Sequence, residues 1–124
     1  MIVTNNPRFI NNDEKVFNNV DILFLDKDAI DVLKKARDLI HQNYKLLTHP
    51  LYGNFRVIET FYRTLILEKV GKIDLDSINL IENSILKTLD ILNKSNKRSA
   101  DFKMLDDFSY IDYQIILENM RERR

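Results

Sequence analysis

The chain has 124 residues, of which 44% are hydrophobic, so it is long enough to bury one core without disulfides or metals. Nineteen Lys and Arg residues balance nineteen Asp and Glu residues, and this neutrality argues against nucleic acid or an anionic membrane as the main partner. The absence of cysteine excludes disulfides, thiol nucleophiles and cysteine-based metal sites.

The first half of the chain predicts three strands and one helix. The strands are the short apolar runs at residues 1–4, 20–25 and 45–48. The polar stretch between the first two strands is long enough to hold an extra turn of helix. Apolar residues recur at helical spacing over residues 29–43, behind the N-cap oxygens of Asp26 and Asp28, and this pattern predicts the helix.

The second half predicts a strand, a helix, a fifth strand and a final helix. Residues 64–68 form the fourth strand, and Asp74 caps a helix that runs to about Asn93. The predicted core positions of that helix are Ile78, Ile81, Ile85, Leu89 and Leu92, widened by Leu75 and Leu86. Residues 102–105 predict the fifth strand, and Asp107 or Ser109 then caps the last helix. Its predicted inward residues are Ile111, Ile115, Ile116 and Met120.

This order of elements indicates the fold class. Strands that alternate with helices are typical of layered α/β proteins with largely parallel sheets. We therefore expect one small α/β domain over residues 1–124, with a mostly parallel sheet of four to five strands and about three flanking helices.

Two short segments share a pattern of apolar residues, then Thr, then polar residues, then Pro. They are residues 1–7 and 45–53, and they contain both prolines of the chain. Because ligands bind at the ends of strands in open α/β sheets, we expect a small anionic ligand at these turns. The candidate ligand-binding residues are Thr4, Asn5, Asn6, Thr48, His49, Gly53 and Arg56. The alternative is that these residues only complete turns or carry surface charge.

His49 is the candidate for catalysis, since an imidazole at a strand end is able to act as a general acid or base. A structural hydrogen bond is the competing interpretation, and whether the chain is an enzyme stays open. The two histidines lack the spacing of metal ligands, and an Asp106–Asp107 magnesium site competes with a simple polar helix cap. Two glycines cannot build a glycine-rich phosphate loop, so we predict neither a metal nor a cofactor.

Aromatic residues gather in the stretch after the His49 turn. Phe55, Phe61 and Tyr62 lie near Arg56 and Arg63 in sequence, and such a cluster is able to stack a base. A core plug or a dimer patch is the favoured interpretation of the aromatic residues. An arginine fork is able to clamp a carboxylate or a phosphate, but surface charge is the favoured interpretation of Arg56 and Arg63.

The segments 1–7 and 48–51, followed by Gly53, resemble the GrdX family. The resemblance extends over nearly the whole chain, including the helix at residues 31–40. GrdX proteins are small proteins encoded beside glycine, sarcosine and betaine reductases in amino-acid-fermenting anaerobes. The resemblance implies an accessory role in such a reductase system, and it supplies no catalytic residue. A chain without cysteine cannot serve there as a thiol carrier.

Three functions therefore stay open from the sequence. The first is an accessory protein that binds a small anionic metabolite, with a reductase component as a possible partner. The second is a structural protein that forms a homodimer or docks to a partner, and the third is a small hydrolase or lyase that uses His49. The beginning of the chain lacks a signal-peptide pattern and no apolar run reaches the roughly 18 residues of a membrane span, so we expect a cytoplasmic location.

Overall fold

The computed structural model describes residues 1–51, 61–94 and 102–123. Within these ranges the strands are β1 (Ile2–Thr4), β2 (Ile22–Phe24), β3 (Tyr44–Leu46) and β4 (Thr64–Lys69). The helices are α1 (Ala29–Ile40), α2 (Leu75–Lys94) and α3 (Phe102–Glu122). Two single turns of 3-10 helix, Pro7–Phe9 and Lys15–Phe17, lie between β1 and β2, where the sequence predicted room for a helical turn.

The four strands form one mixed sheet in the order β2-β1-β4-β3. β1 and β2 are parallel, with Ile2 opposite Ile22, whereas β4 is antiparallel to both of its neighbours, β1 and β3. The α/β class is therefore confirmed, but the prediction of a mostly parallel sheet is wrong for two of the three strand pairings.

Helices cover both faces of this sheet. α1 and α2 pack on one face over Val3, Leu65 and Leu67. On the opposite face, α3 packs over Ile2 and Ile66 together with the two 3-10 turns. Because side chains alternate between the faces of a strand, neighbouring residues of β1 and β4 contribute to both halves of the core.

α1 follows its sequence prediction closely. At its start, the Asp28 amide donates to Asp31 Oδ2 at 3.2 Å, and this bond satisfies a backbone donor at the helix N-terminus. The helical spacing predicts one inward face made of Ala29, Val32, Leu33, Ala36, Leu39 and Ile40, and all of these residues are buried except Ala29, which is half-buried. After the helix, Asn43 adopts the left-handed backbone conformation with φ 69°, which reverses the chain into β3.

The start of α3 corrects the sequence prediction. Residues 102–105 form the first turn of α3 rather than a fifth strand, so Asp107 and Ser109 lie inside the helix and do not cap it. A four-residue apolar run does not distinguish a strand from a helix by periodicity, which explains the error. Of the predicted inward residues, Ile116 is buried, whereas Ile111, Ile115 and Met120 are half-buried. Leu117, Ser109 and Asp112 complete the buried side.

The inward face of α2 also differs from the prediction. Ile81 and Ile85 are buried as predicted, but Leu75, Leu86, Leu89 and Leu92 are exposed. Ser77, Ser84 and Thr88 occupy the buried side in their place. No helix within the described ranges is long and apolar enough to cross a membrane.

Candidate functional site

Both of the sequence-predicted turns lie at one edge of the sheet. The Asn5 amide donates to the Arg63 carbonyl at 3.3 Å, and the Ile66 amide donates to Thr48 Oγ1 at 3.2 Å. Asn5 and Thr48 therefore flank the first residues of β4 from opposite sides. Since neighbouring strands are about 4.8 Å apart, β1 and β3 are separated by roughly 10 Å at this edge.

The topology favours a ligand site at the end of β1. The connection from β1 to β2 runs over the α3 face, because Phe9 and Phe17 pack there. The chain that follows β2 passes to the opposite face of the sheet, where α1 lies. Adjacent parallel strands whose outgoing connections go to opposite faces form a crevice at their carboxyl ends, and ligands of open α/β sheets bind in such crevices. Asn5 lies at this switch point.

The Asn5 side chain ties three segments together. Its Nδ2 group donates to the Lys27 and Phe61 carbonyls, each at 3.0 Å, and its Oδ1 atom accepts from the Arg63 amide at 2.9 Å. Both side-chain donors of Asn5 are therefore used within the protein, and they hold the end of β1, the start of α1 and the residues before β4 in a fixed arrangement.

Thr4, Asn6, Thr64 and Asp112 form a buried ring of hydrogen bonds beside Asn5. The Asn6 amide donates to Thr4 Oγ1 at 2.9 Å, and the Thr4 and Thr64 hydroxyls lie 2.6 Å apart. Thr64 Oγ1 donates to Asp112 Oδ2 at 2.7 Å, and Asn6 Nδ2 donates to the same oxygen at 2.9 Å. The ring links β1 and β4 to α3 on the α3 face of the sheet.

Two charged residues are almost completely buried at this edge. Arg63, immediately before β4, is 1% exposed, and Asp112, in the middle of α3, is 3% exposed. Residues of these types are rarely buried to this extent, since removing their charges from water costs free energy that apolar residues would not cost.

A more exposed set of contacts borders the ring. Arg8 donates through Nε to Ser109 Oγ and through a terminal nitrogen to Asp106 Oδ1, both at 2.8 Å. Burial raises the pKa of the nearby Tyr62 above its ordinary value, and the negative charge of Asp106 raises it further. Phe61 stacks on Phe108 with ring centroids 5.7 Å apart. These contacts fix α3 against the edge of the sheet.

The Thr48–His49 turn forms the other side of the edge. Thr48 is buried and its hydroxyl accepts from β4, whereas His49 is exposed. His49 Nδ1 accepts a hydrogen bond from the Leu51 amide at 2.9 Å, so in this arrangement the other ring nitrogen carries the proton. A bond of this kind matches the structural interpretation of His49. Its catalytic role stays a prediction.

The remaining predicted residues have mixed outcomes. Gly53 and Arg56 lie outside the described residues, as do Phe55 and the rest of residues 52–60. Ligand binding by Thr4, Asn5, Asn6, Thr48 and His49 stays a prediction. In the ranges that the structure describes, no group of three or more His, Asp or Glu side chains is placed to hold a metal ion.

Sequence reasoning missed the two buried charges. It favoured surface charge over an anion clamp for Arg63, and it did not single out Asp112. One signal was present for Asp112, which lies four residues before the core residue Ile116 and therefore on the same side of α3. An acidic residue on an apolar stripe predicts a buried polar contact. Nothing in the local sequence distinguishes Arg63 from an exposed arginine.

The fold and this edge define a small mixed α/β domain with buried charged residues beside the end of β1 and the start of β4. A comparison with protein families matches residues 1–121 to the family described as GrdX-like protein. The chain therefore belongs to the GrdX-like family. Searches of curated proteins and of solved structures found no match.

Proposed function

We propose that this GrdX-family chain is an accessory protein that binds a small anionic metabolite at the edge formed by the end of β1 and the start of β4. The observation that carries this proposal is the burial of Arg63 and Asp112 beside the end of β1 and the start of β4. Stability alone would favour apolar residues at both positions, so their presence indicates a task other than folding.

The chemistry of the edge suits a carboxylate or a phosphate. An arginine fork binds either group through parallel hydrogen bonds, and a site shielded from water strengthens such bonds. Asn5 bonds directly to the backbone of Arg63 and holds it in place, while the ring around Asp112 fixes the adjacent residue Thr64. The preorganised backbone lowers the entropic cost of binding.

Thermal unfolding with added ligands tests this proposal. The anionic probes are acetate and inorganic phosphate, compared with sodium chloride at equal ionic strength. Glycine, sarcosine and betaine are zwitterions that present a carboxylate, and they are compared with sucrose at equal concentration because osmolytes also raise the Tm. A ligand at a hundredfold excess over its Kd stabilises the fold by about 2.7 kcal/mol, which raises the Tm by several degrees. If none of these probes raises the Tm above its control, the proposal fails.

A variant locates the effect at the edge. Arg63→Lys keeps the charge but removes the planar fork, so it should lose most of the stabilisation by the anion. Arg121→Lys is the matched control, since Arg121 is largely exposed near the end of α3, and it should respond like the wild type. Equal stabilisation of both variants would place the anion elsewhere.

We further propose that the chain works within an amino-acid reductase system that acts on glycine, sarcosine or betaine. Membership of the GrdX-like family supports this link. Affinity purification of the tagged full chain from a host that expresses such a reductase tests it, with an unrelated tagged protein as the control. Recovery of reductase components at the level of that control would count against the link.

A further inference from the structure

Arg8 is a solvent-accessible cation at the edge of the sheet. It lies in the 3-10 turn that follows β1, and 35% of its side chain is exposed, whereas Arg63 is 1% exposed. A dissolved anion is therefore able to reach the Arg8 guanidinium without any movement of the buried ring. An anion that approaches the edge from the α3 side meets Arg8 before it meets Arg63.

A hydroxyl and an aromatic ring hold the Arg8 guanidinium in place. Arg8 Nε donates to Ser109 Oγ at 2.8 Å, and the buried Ser109 hydroxyl donates in turn to the Asp106 carbonyl at 2.7 Å. The guanidinium carbon lies 5.4 Å from the centre of the Tyr110 ring, which is within cation–π range. A guanidinium that is already fixed in this way loses little side-chain entropy when it binds an anion.

The Asp106 side chain already places a carboxylate on Arg8. A terminal nitrogen of Arg8 donates to Asp106 Oδ1 at 2.8 Å and to the Asp106 carbonyl at 3.5 Å. The Asp106 side chain is 61% exposed, so its release into water leaves no buried charge. Exposed ion pairs also contribute little to stability. The carboxylate of a ligand is therefore able to compete with Asp106 for the same guanidinium.

The other charges near Arg8 select the kind of anion. Asp107 is exposed beside Asp106, and Asp112 is buried further along the same helix. A phosphate carries more negative charge than a carboxylate, so these neighbouring carboxylates repel a phosphate more strongly. The surroundings of Arg8 therefore favour a ligand whose anionic group is a carboxylate, the same group that Asp106 supplies.

We propose that Arg8 binds the carboxylate group of the ligand, and that Asp106 is a built-in competitor that occupies Arg8 until the ligand displaces it. This inference rests on the proposed function, because the ligand is the same small anion, and it narrows that anion to a carboxylate. Removal of the Asp106 charge should then strengthen binding. If the contact between Arg8 and Asp106 only fixed α3 to the sheet, its removal would not strengthen binding.

An NMR titration with sodium acetate, exchanged for sodium chloride at constant ionic strength, tests the competition. The Arg8 Nε–H signal reports binding at the guanidinium. Asp106→Asn should lower the Kd for acetate about two- to fivefold, because an exposed ion pair of ordinary strength no longer competes. Asp107→Asn is the matched control, since it removes the same charge from the neighbouring exposed residue, and it should lower the Kd less. Equal Kd values for the two variants would overturn the proposal.

A second set of variants separates this inference from the proposed function. In an Arg8→Gln background, Asp106→Asn should no longer strengthen acetate binding, and strengthening that persists there would overturn the role of Arg8. If acetate raises the Tm of the wild type but Asp106→Asn gains nothing over Asp107→Asn, the competition is absent and the anion site stands. If Asp106→Asn gains the predicted affinity while Arg63→Lys binds acetate like the wild type, Arg8 binds the carboxylate and the role of Arg63 fails.

Discussion

At the scale of single residues, the direction of each hydrogen bond in the Asp112 ring follows from donor counting. Thr64 has one hydroxyl hydrogen and donates it to Asp112, so the hydrogen between the two threonines comes from Thr4. Thr4 in turn accepts from the Asn6 amide. The Asn6 amide, the Thr4 hydroxyl and the Thr64 hydroxyl therefore donate in sequence along a chain that ends at Asp112 Oδ2, and the Asn6 side chain donates to the same oxygen directly.

Removing that carboxylate should destabilise the fold. Asp112→Ala leaves Asn6 Nδ2 and the Thr64 hydroxyl without their buried acceptor, and each such loss costs about 1–3 kcal/mol. We expect a total loss of about 2–5 kcal/mol in the free energy of unfolding by urea. Asp107→Ala, on the exposed side of the same helix, should change it by less than about 0.5 kcal/mol. Equal stabilities of the two variants would contradict the role of the ring.

Asn5 makes a second prediction at this scale. The substitution Asn5→Asp keeps the shape of the side chain. It replaces Nδ2, which donates to the Lys27 and Phe61 carbonyls, with an oxygen that repels those carbonyls. The free energy of unfolding should fall by more than about 2 kcal/mol in chemical denaturation at neutral pH. Asn18→Asp is the control, because Asn18 is exposed. If both substitutions lower the free energy of unfolding equally, Asn5 does not hold the three segments together.

At the scale of elements, local signals predict a helix when its caps and its apolar stripe agree, as in α1. They fail in α3, where residues 102–105 continue a helix whose register is set by Ser109, Asp112 and Ile116. They also fail to predict the inward side of α2. Hydrophobicity alone predicts that Leu86 is buried in preference to Thr88, and the structure shows the reverse. α2 packs against α1, and no local pattern records which side of α2 this packing buries.

The first turn of α2 gives a prediction of pH dependence. Asp74 Oδ2 accepts from the Ser77 amide at 3.0 Å and from the Ser77 hydroxyl at 2.6 Å, and the hydroxyl in turn accepts from the Leu46 amide of β3. The bond from the Ser77 hydroxyl is the main cause that holds the pKa of Asp74 below its ordinary value of 3.8. The carboxylate therefore stabilises the fold above that value, and this contribution is lost as the pH falls through the lower pKa of the folded state.

Asp74→Ala should accordingly be less stable than the wild type at neutral pH, with a difference that shrinks below about pH 4. Asp74→Asn keeps a capping oxygen, so it should retain more stability at neutral pH while losing the acid dependence. Urea midpoints measured across this range check both variants. A difference between Asp74→Ala and the wild type that stays constant into acid would contradict the linkage.

At the scale of the whole molecule, the mixed sheet shows why the parallel prediction failed. The prediction took the alternation of strands and helices as a sign of parallel crossover connections. β4 instead pairs antiparallel with both β1 and β3. Strand order in the sheet depends on distant pairings such as Thr4 with Thr64, which are not visible in any local window.

The same limit applies to the candidate site. The sequence could not tell whether the turns at Asn5 and Thr48 lie side by side, and in the structure they share one edge because the carboxyl ends of β1 and β3 point the same way. The sequence also could not predict the burial of Arg63, or that of Asp112, whose contacts depend on the packing of α3 against the sheet. Residues that bring a site together from distant segments are the hardest to infer from one sequence.

The measurement that tests the anion-binding account most directly is an amide NMR titration of the full chain with the probe that raises the Tm most. We predict saturable shifts at Asn5, Asn6, Thr48, Arg63 and Thr64, because these residues surround the edge of the sheet. The outer residues of α2 should not respond. Shifts confined to surface lysines, or linear shifts that never saturate, would show that the edge does not bind the anion.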